Sequence, residues 1–286
     1  MFDKALLSLP GIKRILGLLG LLAILKAAAI IGSIWALSSA IANLWAGEAF
    51  GSQILLVGAF LGCFLGRQVV VYAQDALLAR YAAEQGARLR DNLLDQAFTG
   101  SVGWVRAHGT ASVTTAALDG IDQVENYLHV VLPKLVDAGV VVPATLIATV
   151  VLDWVSAVIL IIVVPVIIFY MILLGRMAQD RATRQYATYQ VMSNHFIDTL
   201  RGLGTLKALG AGKRQLARIF KVSENFRRAT VKTLYVATLS GAVLDLLATL
   251  GVAAVAMMLG FRLVDGTLDL FTGLAALMLA PEYYAP

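Results

Sequence analysis

One cysteine, three histidines and a charged fraction of 14% are too little for a protein of 286 residues that works in water. The lone cysteine, Cys63, excludes an intrachain disulfide and a multi-cysteine metal site. It falls in an apolar run and reads as a small buried hydrophobe. Soluble domains carry about a quarter of their residues as charges, so the composition excludes that class. Proline is absent from residues 80–126 and 176–233, so nothing there need break a helix. A phosphate-cradling glycine loop is missing as well. Its nearest imitation is Gly212-Lys213, but Arg214 stands where a Ser or Thr would hold Mg²⁺, and Lys207 stands where the first glycine belongs. The chain is therefore expected not to hydrolyse ATP alone, and no residue in it reads as catalytic.

What is present is hydrophobic, with 59% apolar residues and a mean hydropathy of +0.79. The apolar residues cluster into six runs near 16–44, 54–78, 127–151, 155–175, 234–263 and 268–286. About 20 apolar residues cross a hydrocarbon core of ~30 Å, so the sequence predicts an all-α integral membrane protein with six spans, the last cut short at Pro286. The first run follows Lys13 and Arg14 like a signal peptide, but it is too long for one and no small-residue cleavage site follows. It is read as a retained helix.

Basic residues set the orientation. Three precede the first span, four lie in 80–126 and twelve in 176–233, whereas connections 45–53, 152–154 and 264–267 carry none. The basic segments fall on one side, which places the N-terminus in the cytoplasm. The pI of 9.4 thus reflects topology and contact with anionic lipid headgroups. No aromatic-interleaved basic patch points to nucleic acid.

Residues 80–126 and 176–233 are rich in helix formers, and each is expected to extend a membrane helix, turn, and return. Half of the longer segment, at 1.5 Å per residue, projects roughly 40 Å. The turns fall near residues 103 and 204, both among glycines. Around the second lies "HFIDTLRGLGTLKALGAGKR" (195–214), whose Phe196, Leu200, Leu203, Leu206 and Leu209 form an apolar stripe held away from the membrane. Such a stripe needs a partner; the alternative is a solvated basic face.

Six spans with short outer and long inner connections resemble the transmembrane half of an ABC exporter, whose inner tips are coupling helices that dock on ATPase domains. "HGTASVTTAALDGIDQV" (108–124) resembles the first such region, with Gly109, Thr110 and Asp119 in the matching places. "DTLRGLGTLKALGAGKR" resembles the second, with Asp198, Thr199, Leu200, Arg201 and Gly202. "LSGA" at 239–242 resembles the start of the family's nucleotide signature, but it sits in an apolar span without the second glycine. "LRGLGTLKALG", "NYLHVVLPKL" and above all "LMLAPEYYAP" resemble the CydD half of the heterodimeric CydDC family over essentially the whole chain.

That resemblance implies an ATPase domain beyond this chain, so the chain is expected to be a fragment or a truncated product. It also implies a CydC-like partner half, ATP and Mg²⁺ bound by ATPase domains in cis and trans, and a bacterial inner membrane. The cargo it implies is cysteine or glutathione, or haem, in support of cytochrome bd assembly. An exporter of lipid, peptide or drug, and a non-transporting membrane scaffold or sensor, remain the alternatives. Charges inside membrane spans are costly and mark candidate sites: Lys26, Arg67, Asp75, Asp137, Asp245 and Glu282. Lys26, Arg67, Asp137, Asp245 and Glu282, with Tyr283 and Tyr284 after Pro281, are the candidate cavity lining for a small charged thiol. The competing reading is inter-helix pairing, such as Lys26 or Arg67 with Asp245, and interfacial placement of the tyrosines. His129, at the inner mouth of the third span, is a weak haem candidate, and no metal site is expected.

Overall fold

The structure, a computed structural model, describes residues 10–99 and 120–285, and every regular element among them is a helix. Helix α1 is Ile12–Trp45. A short 3-10 turn, Phe50–Gln53, leads into α2, Ile54–Thr99. Helix α3, Ile121–Asn126, passes through a π-helical turn at Tyr127–Val131 into α4, Leu132–Leu152. Then follow α5 (Trp154–Arg201), the short α6 (Leu203–Ala208), α7 (Gly212–Val264) and α8 (Leu270–Tyr284).

Among the described residues, α1, α2, the α3–α4 run, α5 and α7 are long and apolar enough to cross a membrane. Helix α8, where the sixth span is expected, has 15 residues, roughly 22 Å at 1.5 Å per residue. With 46, 48 and 53 residues, α2, α5 and α7 are each about twice the length that a bilayer needs. Each joins an apolar stretch to a polar one without a break.

The helix ends explain where the chain reverses. After α1, Gly47 takes a left-handed φ of 92°, and Glu48 N–H reaches back to the Asn43 carbonyl. Glycine enters that conformation without a Cβ penalty. Asp269 caps α8 by accepting from Thr272 N–H at 3.1 Å, and Asp153 does the same for α5 through Ser156 N–H at 3.0 Å.

The chain divides into two compact units. The first contains the described residues through Val158 and those from Val255 onward. Here α1 packs on α2, α4 and α8. The side chains at the crossings are largely small, including Ala27, Ala275, Ala276 and Ala280, which lets helices approach closely where no hydrophobic effect drives them together. One buried cluster joins Ile12, Leu19, Leu78, Tyr81 and Leu132, and another joins Ile30, Ile34, Val141 and Leu279. Outward faces carry Leu55, Leu65, Val151 and Phe261, all exposed, as lipid contact requires.

The second unit is Ile159–Ala254. Within it α5 and α7 are joined by hydrogen bonds from Gln185 to Thr230 (3.2 Å) and from Thr233 to the Arg181 carbonyl (3.3 Å). Tyr189 and Phe226 meet with ring centroids 5.7 Å apart.

Candidate functional site

Four helices of the first unit bring charged side chains together inside the bundle. On α2, residues Arg67, Gln74, Leu78, Tyr81 and Gln85 recur at helical spacing, and the last four are buried. The stripe that buries apolar residues near one end of α2 thus carries a guanidinium and an amide nearer the other. On α4, Asp137, Val141, Thr145 and Thr149 repeat every four residues and are all buried. Thr145 and Thr149 donate to the carbonyls of Val141 and Thr145, which disposes of two hydroxyls that would otherwise lack partners.

Arg67 and Glu282 form a forked ion pair. Nη1 donates to Oε1 at 2.7 Å and Nη2 donates to Oε2 at 3.0 Å. Lys26 Nζ donates to Asp137 Oδ2 at 2.7 Å, while Gln74 Nε2 approaches Asp137 Oδ1 at 3.4 Å. Lys26 and Arg67 are therefore paired within the first unit, with Asp137 and Glu282. Asp245 is an exposed residue of the second unit. The two pairs, with Lys134, Ile30, Val141 and Ala285, line a cavity of about 260 Å³. Arg67 lies thirteen residues along α2 from Ile54, roughly 20 Å from the short-connection end of the helix. Glu282 lies twelve residues along α8, roughly 18 Å. The cavity thus sits past the midpoint of a ~30 Å core, toward the side of the basic segments.

Pro281 lies within α8, which continues through it. Tyr283 is buried and meets Tyr284 edge-to-face at 5.2 Å. The Tyr284 hydroxyl is buried and has no partner among the described residues. His129 lies in the π-helical turn just before Pro133, exposed; Pro133 lacks an N–H for the preceding turn. No cluster of three or more His, Cys, Asp or Glu that could hold a metal occurs among the described residues. Asp75 is exposed on α2.

In the second unit α5 ends at Arg201, and Gly202 N–H bonds to the Asp198 carbonyl at 2.9 Å. Gly210 then takes a φ of 62° before α7 begins. Thr199, only 9% exposed, donates to the His195 carbonyl and accepts from Gln215, both at 2.7 Å. That bond ties the two long helices on either side of the turn. Leu200, Leu203 and Leu209 are exposed. Beside the turn, Tyr189, Met192, Phe196 and Ile219 line an apolar groove of about 390 Å³. Gly109, Thr110 and Asp119 lie outside the described residues.

A third polar group was not singled out in the sequence. Asp153, 5% exposed, accepts from Arg262 Nη1 at 2.6 Å and from the Ser156 hydroxyl at 2.6 Å. Burial alone raises its carboxyl pKa, but the bonds from Arg262 and Ser156 outweigh this and hold it below the ordinary carboxylate value. Lys134 and Gln74 also went unremarked. Their signal was positional: Lys134 is one turn from Asp137, and Gln74 two turns from Arg67.

The family described as the ABC transporter transmembrane region matches residues 16–280. The glutathione/L-cysteine transport system ATP-binding/permease protein CydC of Bacillus subtilis is 43% identical over 283 residues, covering 99% of this chain and 50% of the relative. The corresponding CydD proteins of Escherichia coli and Haemophilus influenzae are 31% and 28% identical. They are matched over 78% and 81% of this chain, and 39% and 41% of their own length. The chain therefore spans about half or less of the length of these relatives, which bear both subunit names.

Proposed function

The chain belongs to the ABC transporter transmembrane family, and from that premise we propose that it is one membrane half of an ATP-driven exporter of small thiols. In this reading it is the CydD-like half, paired with a CydC-like half in a bacterial inner membrane with its N-terminus in the cytoplasm. The relatives' names, glutathione/L-cysteine transport system proteins, support the cargo; the terminal "LMLAPEYYAP" supports the subunit. Haem and a role in cytochrome bd assembly belong to the same proposal and rest on resemblance.

One observation carries the reading. The cavity between α1, α2, α4 and α8 is lined by five charges inside a bundle whose buried side chains are mostly apolar. A lipid or drug carrier wants an apolar cavity, because each buried charge is costly unless it is used. A small zwitterion or anion wants a charged lining that it can meet with its own charges. The cavity lies on the side of the basic segments, where a cytoplasmic cargo would enter.

The turn at Asp198–Gly202 supports the coupling role. Its exposed leucines offer an apolar face to an ATPase domain, while Thr199 and Gln215 lock the two long helices into one lever. ATP bound by ATPase domains, here supplied by the longer protein and its partner, provides the free energy of closure. Closure would draw the turns together and tilt the long helices, opening the bundle outward. The test is uptake of labelled cysteine and glutathione into inside-out vesicles holding the full-length protein and its partner. Accumulation with ATP but not with a non-hydrolysable analogue supports the proposal. ATPase activity without accumulation of either thiol rejects the thiol cargo and leaves haem, then lipid, to be tried.

A further inference from the structure

We propose that Lys134 is the docking point for a surplus substrate carboxylate, and that it makes this cavity prefer a thiol of net charge −1 over a neutral zwitterion. The inference rests on the exporter reading and deepens it.

The cavity holds three cations, Lys26, Arg67 and Lys134, against two carboxylates, Asp137 and Glu282, so its lining carries a net charge of +1. The five are not equivalent. Lys26 is engaged by Asp137 at 2.7 Å, and Arg67 holds Glu282 with both arms of its fork. Recruiting either cation to a ligand would strand a carboxylate in a medium where an unpaired charge is costly. Lys134 has no hydrogen-bond or ion-pair partner among the described residues. It lies on α4 one turn before Asp137, so the two share a face. A ligand carboxylate can therefore meet Lys134 without breaking either pair.

The chemistry of the ligand decides how much that is worth. At pH 7 an α-carboxyl is ionised, while an α-amino group and a thiol are mostly protonated. Cysteine is then neutral overall, and its ammonium sits on the carbon next to its carboxylate. Lys134 would meet a dipole, with the repelling end close behind. Glutathione has two carboxylates and one ammonium, a net charge of −1. Its glycyl carboxylate is separated from the ammonium by two amide bonds. Lys134 would meet that group as an isolated anion and the cavity would become neutral. The alternative for Lys134 is an amine snorkelling to the headgroups, which would stabilise the helix and leave the choice of cargo untouched.

The test uses the full-length protein with its partner in inside-out vesicles, comparing KM for glutathione, for cysteine and for glutathione glycyl-monoethyl ester, which lacks the glycyl charge. In the unaltered protein the ester should have a KM roughly tenfold above that of glutathione, the loss of one charge-assisted hydrogen bond. Lys134→Gln should raise the KM for glutathione by a similar factor, move that for cysteine by less than about twofold, and abolish the penalty on the ester. Lys134→Arg should keep the wild-type order. Equal KM values for glutathione and its ester in the unaltered protein overturn the proposal even if Lys134→Gln fails to assemble. So does a Lys134→Gln variant that shifts both thiols alike. Absence of ATP-driven uptake of either thiol would instead reject the thiol cargo on which this inference rests.

Discussion

Arg67 on α2 and Glu282 on α8, 215 positions apart in the chain, form a two-bond fork at 2.7 and 3.0 Å beside the cavity. The pair ties the helix of the last apolar run to the second span and leaves both charges only about a quarter exposed.

The fork should behave as a unit. Arg67→Ala or Glu282→Ala leaves its partner's charge unpaired in a half-buried site and should destabilise the protein by about 3 kcal/mol. The exchange Arg67→Glu with Glu282→Arg should recover much of that stability. It should not recover transport to the same degree, because the positive group then sits on the other wall. Thermal unfolding in detergent and vesicle uptake, measured on the same preparations, separate the two effects.

The Asp153–Arg262 latch predicts an acid limit. Asp153 is pulled below the ordinary carboxylate value of 3.8, so its contribution is fully present above that pH. It is lost as pH falls through the lowered value. Arg262→Gln should cost about 3 kcal/mol at neutral pH. It should also flatten this acid dependence, since nothing then favours the charged carboxylate as strongly. Unfolding midpoints between pH 7 and pH 3 check both statements.

At the α5–α7 turn, Asp198→Ala with Arg201→Ala should leave uptake of radiolabel per molecule of protein reduced, with basal ATP hydrolysis largely retained. Gln215→Ala removes the acceptor's partner at Thr199 and should do the same while lowering stability by about 1 kcal/mol. Transported thiol per ATP hydrolysed is the number to measure. An unchanged ratio in both variants rejects the coupling role.

Much of this architecture was legible because it is written locally. Apolar runs of membrane length mark the spans, and the distribution of Lys and Arg separates the long connections from the short ones. The helical character of 176–201 follows from its composition, and its continuity with the apolar stretch before it follows from the absence of proline between them. The ion pairs were not legible. Lys26, Arg67, Asp137, Asp245 and Glu282 each stood out as charges in apolar spans, but nothing local tells which helix faces which. Asp245 looked as good a partner as Glu282. The four-residue repeat Asp137–Val141–Thr145–Thr149 and the stripe from Arg67 through Gln74 to Leu78 were present in the sequence. They could have set the two faces, and with them Lys134, into view.

The central claim is that the charged cavity binds the cargo. Ala285 and Val141 line it, and Cys63 is the one native thiol of the chain. The most direct measurement places a cysteine at Ala285 in the full-length protein with its partner, after Cys63 and every other native cysteine of both have been replaced. Maleimide labelling of this chain is then followed against rising S-methylglutathione, which has no free thiol to compete. The expected result is protection that saturates in the range of the transport KM and is weakened roughly tenfold when Lys134→Gln is added. Labelling that proceeds at the same rate at every S-methylglutathione concentration would contradict it.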